Sequence, residues 1–273
     1  MLGERLENVR KTKPLIYNIT NYVTANDVAN VILSCGGRPI MSDEPDEAEE
    51  IVSSCQGLNI NIGTLNKHTI IAMHIAGKKA NSLGIPVLLD PVGINASHLR
   101  YSTVNNLLKE LKLTAICGNI TEIKAISDIS HKTSGVDATD ADMITESKID
   151  NTISFVRELS AKLHSIFVAT GKIDIVSDTE KTYIIHNGCT EMSRITGTGC
   201  QLSGIMTAFI AANPDNPLEA CASAVCTMGI AGEIAFSRLS EHEGNAELRN
   251  KIIDAVYNMT SSEIERGAKY EIR

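Results

Sequence analysis

The sequence predicts an α/β protein with a mostly parallel sheet covered by helices. Short apolar runs alternate along the chain with longer segments of helical period, and the connections between them are brief. Carboxylates, amides and small hydroxyls fall just after several of the apolar runs, where the strands of an open parallel sheet present ligand-binding groups. A Gly/Thr-rich turn, Ile195-Thr196-Gly197-Thr198-Gly199-Cys200, opens directly onto an apolar helix-forming stretch that ends at Ala212. With 273 residues, 43% of them hydrophobic, the chain suffices for one large core, and a single domain over residues 1–273 is expected.

The elements follow in order. Tyr22 to Cys35 has helical character and meets a stop at Gly36-Gly37, because glycine readily takes the left-handed conformation that ends a helix. Arg38 to Met41 is a short strand. Pro45 opens an acidic segment running to Ser54, as proline and carboxylates do in a first helical turn. Leu58 to Ile62 is a buried strand, Lys67 to Leu83 a helix stopped at Gly84, and Pro86 to Leu89 an apolar run that delivers Asp90. Leu107 to Leu111 closes a further helix, and Thr114 to Cys117 and Ser165 to Ala169 are the next strands. Asp174 to Ser177 and Lys181 to His186 form an antiparallel pair, after which the chain is almost wholly helical from Cys200 to about Ser261. The polar segment from Ser127 to Ser147 matches neither period and is expected to be a loop.

Composition excludes several function classes. A formal charge of −8 with scattered basic residues argues against nucleic-acid binding and favours a small-molecule partner. No apolar run approaches the ~20 residues that span a bilayer, and no basic-then-apolar leader is visible, so no membrane association and a cytoplasmic location are expected. The seven cysteines contain no C-x-x-C pair and lie mostly in apolar segments, which fits reduced thiols rather than disulfides or zinc.

The glycine turn is the most informative stretch. Backbone N–H groups in the first turn of the following helix have no intrahelical acceptor, and together with the helix dipole they form an anion site. Cys200 stands at that positive end, where a thiol pKa is expected to fall. On the local motif alone, a plain strand-to-helix connection remains an equal reading. Asp90-Pro91-Val92-Gly93, Asn119-Ile120-Thr121-Glu122 and Thr170-Gly171 complete a set able to surround a nucleotide: acids for magnesium, hydroxyls and backbone amides, including those of Thr198 and Gly199, for phosphate oxygens. Taken singly, Asp90 also reads as a turn cap and Glu122 as a first-turn carboxylate of a helix. No G-x-x-x-x-G-K-[ST] occurs, which excludes a P-loop, and no G-x-G-x-x-G follows the first strand, which argues against a dinucleotide dehydrogenase.

These residues resemble the hydroxyethylthiazole kinase family, over nearly the whole chain. The resemblance is carried by Pro14-Leu15-Ile16, Ile19 to Val23 with Ala25-Asn26, Pro39-Ile40-Met41, Asn61 to Leu65, Asp90 to Gly93, Gly118-Asn119 with Glu122, and the I-T-G-T-G-C turn. It implies a ribokinase-like three-layer α/β/α fold and an ATP- and Mg2+-dependent transfer of phosphate to the primary hydroxyl of 4-methyl-5-(2-hydroxyethyl)thiazole, a reaction of thiamine biosynthesis and salvage. Relatives of the wider superfamily carry aspartate as the base after the glycine turn; this family has cysteine, and Cys200 matches it. By the same resemblance Met41, Gly197 and Asn26 belong to the thiazole pocket, Thr170 and the position of Cys117 contact ATP, and Asp90 and Glu122 stand near the magnesium and phosphates. The family forms homotrimers with active sites at subunit interfaces.

Two departures stand out. The position before Gly118-Asn119, usually an ATP-contacting arginine, is Cys117 here. Charge-assisted contacts of that kind contribute about 1.5–3 kcal/mol, so weaker ATP binding is expected unless Lys124, Lys132 or Arg194 substitutes. The 127–147 segment is somewhat longer than usual and is expected to act as a lid over the nucleotide. The alternatives are a related ribokinase-like activity, hydroxymethylpyrimidine kinase or nucleotide-hydrate repair, and a degenerate thiazole or nucleotide binder. Cysteine after the turn argues against the first two, and Cys117 favours the last.

Overall fold

In a computed structural model the residues described are 1–131 and 149–273. A nine-stranded sheet has the order β2-β1-β3-β4-β5-β6-β7-β8-β9. Its strands are β1 (Leu15–Ile19), β2 (Arg38–Met41), β3 (Gly57–Asn61), β4 (Val87–Asp90), β5 (Ala115–Asn119), β6 (Ile166–Thr170), β7 (Asp174–Ser177), β8 (Thr182–Ile185) and β9 (Tyr270–Ile272). Pairing is parallel from β2 through β6 and antiparallel from β6 through β9.

Eleven α-helices are present among the described residues: α1 (Leu2–Thr12), α2 (Ala25–Cys35), α3 (Ala48–Ser53), α4 (Lys67–Leu83), α5 (His98–Glu110), α6 (Ile120–His131), α7 (Ile149–Leu163), α8 (Thr198–Ala212), α9 (Pro217–Ser237), α10 (Asn245–Asn258) and α11 (Ser261–Gly267). They divide between the two faces. Successive strand residues point to opposite sides of a sheet, and the apolar residues sort accordingly. Ile16, Leu88, Ala115, Cys117 and Val168 pack with α1, α2 and α8 to α11. Tyr17, Ile19, Leu58, Ile60, Leu89, Ile116 and Phe167 pack with α3 to α7. The result is three layers, helix, sheet and helix.

Parity also decides what the α8 side of the sheet carries near its carboxyl edge. Alternating with the apolar residues of β1, β3 and β4 are Asn18, Asn59, Asn61 and Asp90, all at least 96% buried. Hydrophobic strands thus deliver polar side chains beneath α8. Buried polar atoms cost free energy without partners, and those of Asn18, Asn61 and Asp90 are hydrogen-bonded, whereas Asn59 Oδ1 has no partner.

The expected β2, α4 and β7 occur with the same boundaries, and β3, β5, β6 and β8 lie within a residue or two of expectation. Residues 22–24, expected in the α2 helix, form a turn instead, and Pro45–Glu47 is a single 3-10 turn before α3. Residues 127–131, expected to be loop, belong to α6, because Ile123, Ala125, Ile126 and Ile129 give it an apolar face that packs under the sheet. The rest of that expected loop and lid, with Lys132, lies outside the described residues. Elements α1, β1, α7, α11 and β9 were not foreseen.

One helix departs from the expectation that no apolar run approaches the length of a bilayer span. α9 is 21 residues long with a mean hydropathy of 1.4, enough by length and composition to cross a bilayer. However, 78% of its apolar window is buried inside the protein, between α8, α10 and the sheet. It is a core helix. The fully buried Phe209 of α8 stands in the same layer, so Phe209→Ala is expected to cost about 3–5 kcal/mol of unfolding free energy, measured by urea denaturation.

Candidate active site

From β1 the chain runs to β2 on one side, whereas β3 lies on the other side of β1 and continues toward β4. The carboxyl ends of β1 and β3 therefore flank a topological switch point, the place where open α/β sheets leave a crevice. Register sets Asn61 beside Asp90 and Asn119 beside Thr170 along the same edge.

The N-terminus of α8 is aimed into this edge. Gly197 precedes the helix with φ 87°, a left-handed conformation that side chains other than glycine rarely take. A Cβ there would also collide with the Thr24 side chain. No side chain caps the helix, and the first backbone bond back is Gln201 N–H to Gly197 C=O. The N–H groups of Thr198, Gly199 and Cys200 thus have no intrahelical acceptor. A Cβ on Gly199 would meet nothing within 4 Å, so its bare backbone faces open space.

Cys200, 6% exposed, is surrounded by amides. Asn21 Nδ2 and Asn61 Nδ2 each donate to its Sγ at 3.2 Å. Asn21 Nδ2 also donates to Asn61 Oδ1 at 2.9 Å, and Asn61 Nδ2 to Asp90 Oδ2 at 2.7 Å. The oxygens are held by the backbone: Asn21 Oδ1 accepts from Thr24 N–H and its hydroxyl, Asn61 Oδ1 from Gly63 N–H. β1, β3, β4 and α8 are joined by this network.

Two acids close the site. Asp90 Oδ1 accepts Val92 N–H at 3.1 Å. Glu122 and Asn119 cap α6 reciprocally: Asn119 Oδ1 accepts Glu122 N–H at 3.0 Å, and Glu122 Oε2 accepts Asn119 N–H at 2.8 Å. The other oxygen, Oε1, accepts Gly93 N–H at 2.9 Å, tying α6 to the loop after β4. Asp90 thus accepts within a turn, and Glu122 stands in the first turn of α6. Neither acid forms an ion pair among the described residues. Burial and the nearby Glu122 push the Asp90 carboxyl up to about 7, and burial also raises Glu122.

The expected fall in the Cys200 pKa is not found. Burial, and then the Asp90 carboxylate, push the thiol up to about 11, against the opposing hydrogen bonds of Thr24, Asn61 and Asn21. Desolvation of the charged form outweighs the helix terminus. Cys200 is a thiol at rest.

The other expected residues are placed as follows. Met41 ends the edge strand β2 opposite Asn18 and packs against the α8-side core. Thr170 ends β6, half-buried, next to Asn119. Cys117, 3% exposed, is packed in the α8-side core, and burial keeps its thiol well above the ordinary value. It supplies neither charge nor a reach to the surface. Asn26 is exposed on α2, and its Oδ1 accepts from Asn30 Nδ2. Arg194 is exposed just before the glycine turn.

Sequence reasoning assigned no role to three residues. Asn21 and Asn61 lie at the ends of β1 and β3, where the strand-end rule points, but asparagine there reads as a turn former. Arg100 reaches from α5 to donate to Ile62 C=O at 2.8 Å, Val92 C=O at 2.9 Å and Gly63 C=O. It clamps the loops after β3 and β4, and nothing in its mid-helix context signals this.

An acid whose folded pKa exceeds its unfolded one binds protons more readily when folded, so stability falls as pH rises from about 4 toward 7. Asp90→Asn is expected to reduce that fall, read as a smaller difference in melting temperature between pH 5 and pH 8 in buffer free of divalent cations.

Comparison with known proteins bears on the family and the fold. The Hydroxyethylthiazole kinase family profile matches residues 6–262. A hydroxyethylthiazole kinase of Clostridium acetobutylicum is 53% identical over 271 residues, covering 99% of each chain. The solved structure of a hydroxyethylthiazole kinase protein from Pyrococcus horikoshii superposes with a TM-score of 0.88 at 31% identity, covering 100% of this chain and 98% of that one. A pyridoxal kinase of Staphylococcus aureus, solved with AMP-PCP and pyridoxal, shares the fold at a TM-score of 0.60 and 13% identity, over 95% of this chain and 98% of that one. The three-layer fold is shared with a ribokinase-like superfamily protein of Enterococcus faecalis at a TM-score of 0.64 and 14% identity, over 96% of this chain and 89% of that one, and the chain belongs to the hydroxyethylthiazole kinase family.

Proposed function

We propose that this protein, acting as one domain in the cytoplasm, transfers the γ-phosphoryl group of ATP to the primary hydroxyl of 4-methyl-5-(2-hydroxyethyl)thiazole, a step of thiamine biosynthesis and salvage. The observation that carries this reading is the uncapped N-terminus of α8, with Cys200 in its first turn, facing two buried acids that have no cationic partner among the described residues. An anion and a cation are wanted at the same place.

The acids fit Mg2+. Each of their oxygens with a known donor accepts N–H bonds from the protein and keeps further acceptor capacity. No group of three or more His, Cys, Asp or Glu residues able to hold a metal occurs among the described residues. Asp90 and Glu122 would therefore hold the ion together with phosphate oxygens and water, the usual manner of Mg2+ in phosphoryl transfer. When bound, the ion neutralises phosphate charge.

The protein's own groups do the rest. The N–H groups of Thr198, Gly199 and Cys200 receive the phosphate oxygens, and the open space at Gly199 lets them approach the backbone. Asn119 and Thr170, neighbours across β5 and β6, border the nucleotide. Met41 and Gly197 border the thiazole, whose hydroxyl is directed toward Cys200. The Cys200 thiolate takes the hydroxyl proton as oxygen attacks phosphorus. Cys117 contributes no charge to ATP binding, and Arg194 is the exposed cation nearest in sequence to the turn. Asn26, exposed on α2, contacts substrate across a subunit boundary in a homotrimer.

Purified protein given ATP, Mg2+ and the thiazole is expected to form thiazole phosphate and ADP, and Cys200→Ala to lower kcat by about 100-fold or more, the usual scale for a lost general base. Thiazole binding without turnover contradicts the kinase reading, and full activity of Cys200→Ala removes the thiol from the reaction. Because Cys200 rests as a thiol, kcat is expected to rise with pH between about 7 and 9, as measured by initial rates in saturating substrates. Light scattering checks the assembly: a fully active monomer contradicts the interfacial role of Asn26.

A further inference from the structure

The orientations of the two amides beside Cys200 are fixed by groups that can only donate. Asn21 Oδ1 accepts Thr24 N–H at 3.1 Å, and Asn61 Oδ1 accepts Gly63 N–H at 2.9 Å. A backbone N–H cannot accept, so each side chain must turn its NH2 the other way. Both NH2 groups then meet Cys200 Sγ, each at 3.2 Å. Asn61 has no freedom left, because its second N–H is taken by Asp90 and its oxygen by Gly63 and Asn21. The three side chains belong to residues at least 94% buried.

A neutral thiol is a weak acceptor, whereas hydrogen bonds to an ionised group are roughly twice as strong as neutral ones. Two donors converging on one buried sulfur match the anion better than the thiol. Asp90 lies on the far side of Asn61, so the Asn61 amide also stands between the sulfur and a carboxylate that would repel its charge.

We propose that Asn21 and Asn61 form a paired-amide cradle that stabilises the thiolate of Cys200, the minor form that accepts the substrate proton. Both are positioning residues, acting through the sulfur. The proposal rests on the reading of Cys200 as the base. In the step served, the hydroxyl proton passes to sulfur and the substrate oxygen forms a bond to the γ-phosphorus. The bond from that phosphorus to the bridging oxygen breaks, and ADP leaves. Sulfur ends as the thiol, which then returns its proton to solvent.

Asn21 is the cleaner site to test, because it does not touch Asp90. Loss of a donor to a charged group lowers the anion population about 10-fold or more, partly offset by the greater basicity of the sulfur that remains, for a net loss of about 3- to 10-fold in kcat. Asn21→Leu is expected to show that loss with KM for the thiazole within about 2-fold of the parent. Asn21→Asp keeps an acceptor for Thr24 while placing negative charge against the sulfur, and is expected to lose more. The decisive comparison is a double-mutant cycle: in a Cys200→Ala background, Asn21→Leu is expected to change residual turnover by less than about 2-fold. An equal loss in both backgrounds means a merely structural role and overturns the proposal, as does an unchanged kcat in either Asn21 variant. If Cys200→Ala is as active as the parent, the base reading itself has failed and the cradle with it. If Cys200→Ala has no measurable turnover, the rate of Cys200 alkylation by iodoacetamide, mapped by mass spectrometry, replaces the cycle. Slower labelling in Asn21→Leu supports the cradle, and an unchanged rate overturns it.

Discussion

Burial of polar side chains at the switch point is the constraint on which the site depends. The β1 and β3 strands place asparagines under α8, where an amide atom without a partner in the protein costs free energy, and among them Asn59 Oδ1 alone lacks one. Backbone N–H groups of the turns after those strands take the Asn21 and Asn61 oxygens, which leaves the NH2 groups no direction but toward Cys200 and Asp90. The position of α8 follows the same logic: Gly197 must be glycine to pass Thr24, and that close passage sets Cys200 between the two amides. Strand order, turn geometry and the placement of one sulfur are thus a single arrangement.

The electrostatics are unbalanced in a way that a ligand would correct. Asp90 and Glu122 are buried with hydrogen-bond donors but no cation among the described residues, and both carboxyls are pushed up. The uncapped end of α8 carries the opposite imbalance, a set of N–H groups without acceptors. A cation and a polyphosphate bound together would satisfy both ends. Rigidity is supplied from outside the cluster by Arg100, which holds the β3 and β4 loops together through three carbonyls, and by the reciprocal cap of Asn119 and Glu122. Such preorganisation matters where charge develops during reaction.

Much of this was legible in the sequence, because periodicity reports the layers and the strand-end rule reports the edge. Leu58 to Ile62 and Pro86 to Leu89 read as buried strands from their apolar runs, and Asp90, Glu122 and Cys200 followed from their places after strands or a glycine turn. β1 was not foreseen because Tyr17-Asn18 interrupts its apolar pattern, although Asn18 is buried and bonds to Ile16 C=O and Asn59. The direction of the Cys200 pKa could not be read locally, since desolvation depends on elements distant in sequence, and it overrides the helix terminus that the motif does reveal. Cys117 illustrates the opposite limit. Its position in the sequence motif suggested a ligand contact, but it lies two residues before the end of β5, where the α8-side core covers it.

A crystal structure with a non-hydrolysable ATP analogue, Mg2+ and the thiazole bound tests the central claim most directly. The substrate hydroxyl oxygen is expected within hydrogen-bonding distance of Cys200 Sγ, with the terminal phosphate of the nucleotide or its analogue on the N–H groups of Thr198 to Cys200. A hydroxyl directed away from Cys200, or a phosphate bound elsewhere than the start of α8, would contradict the assignment of this edge as the centre of phosphoryl transfer.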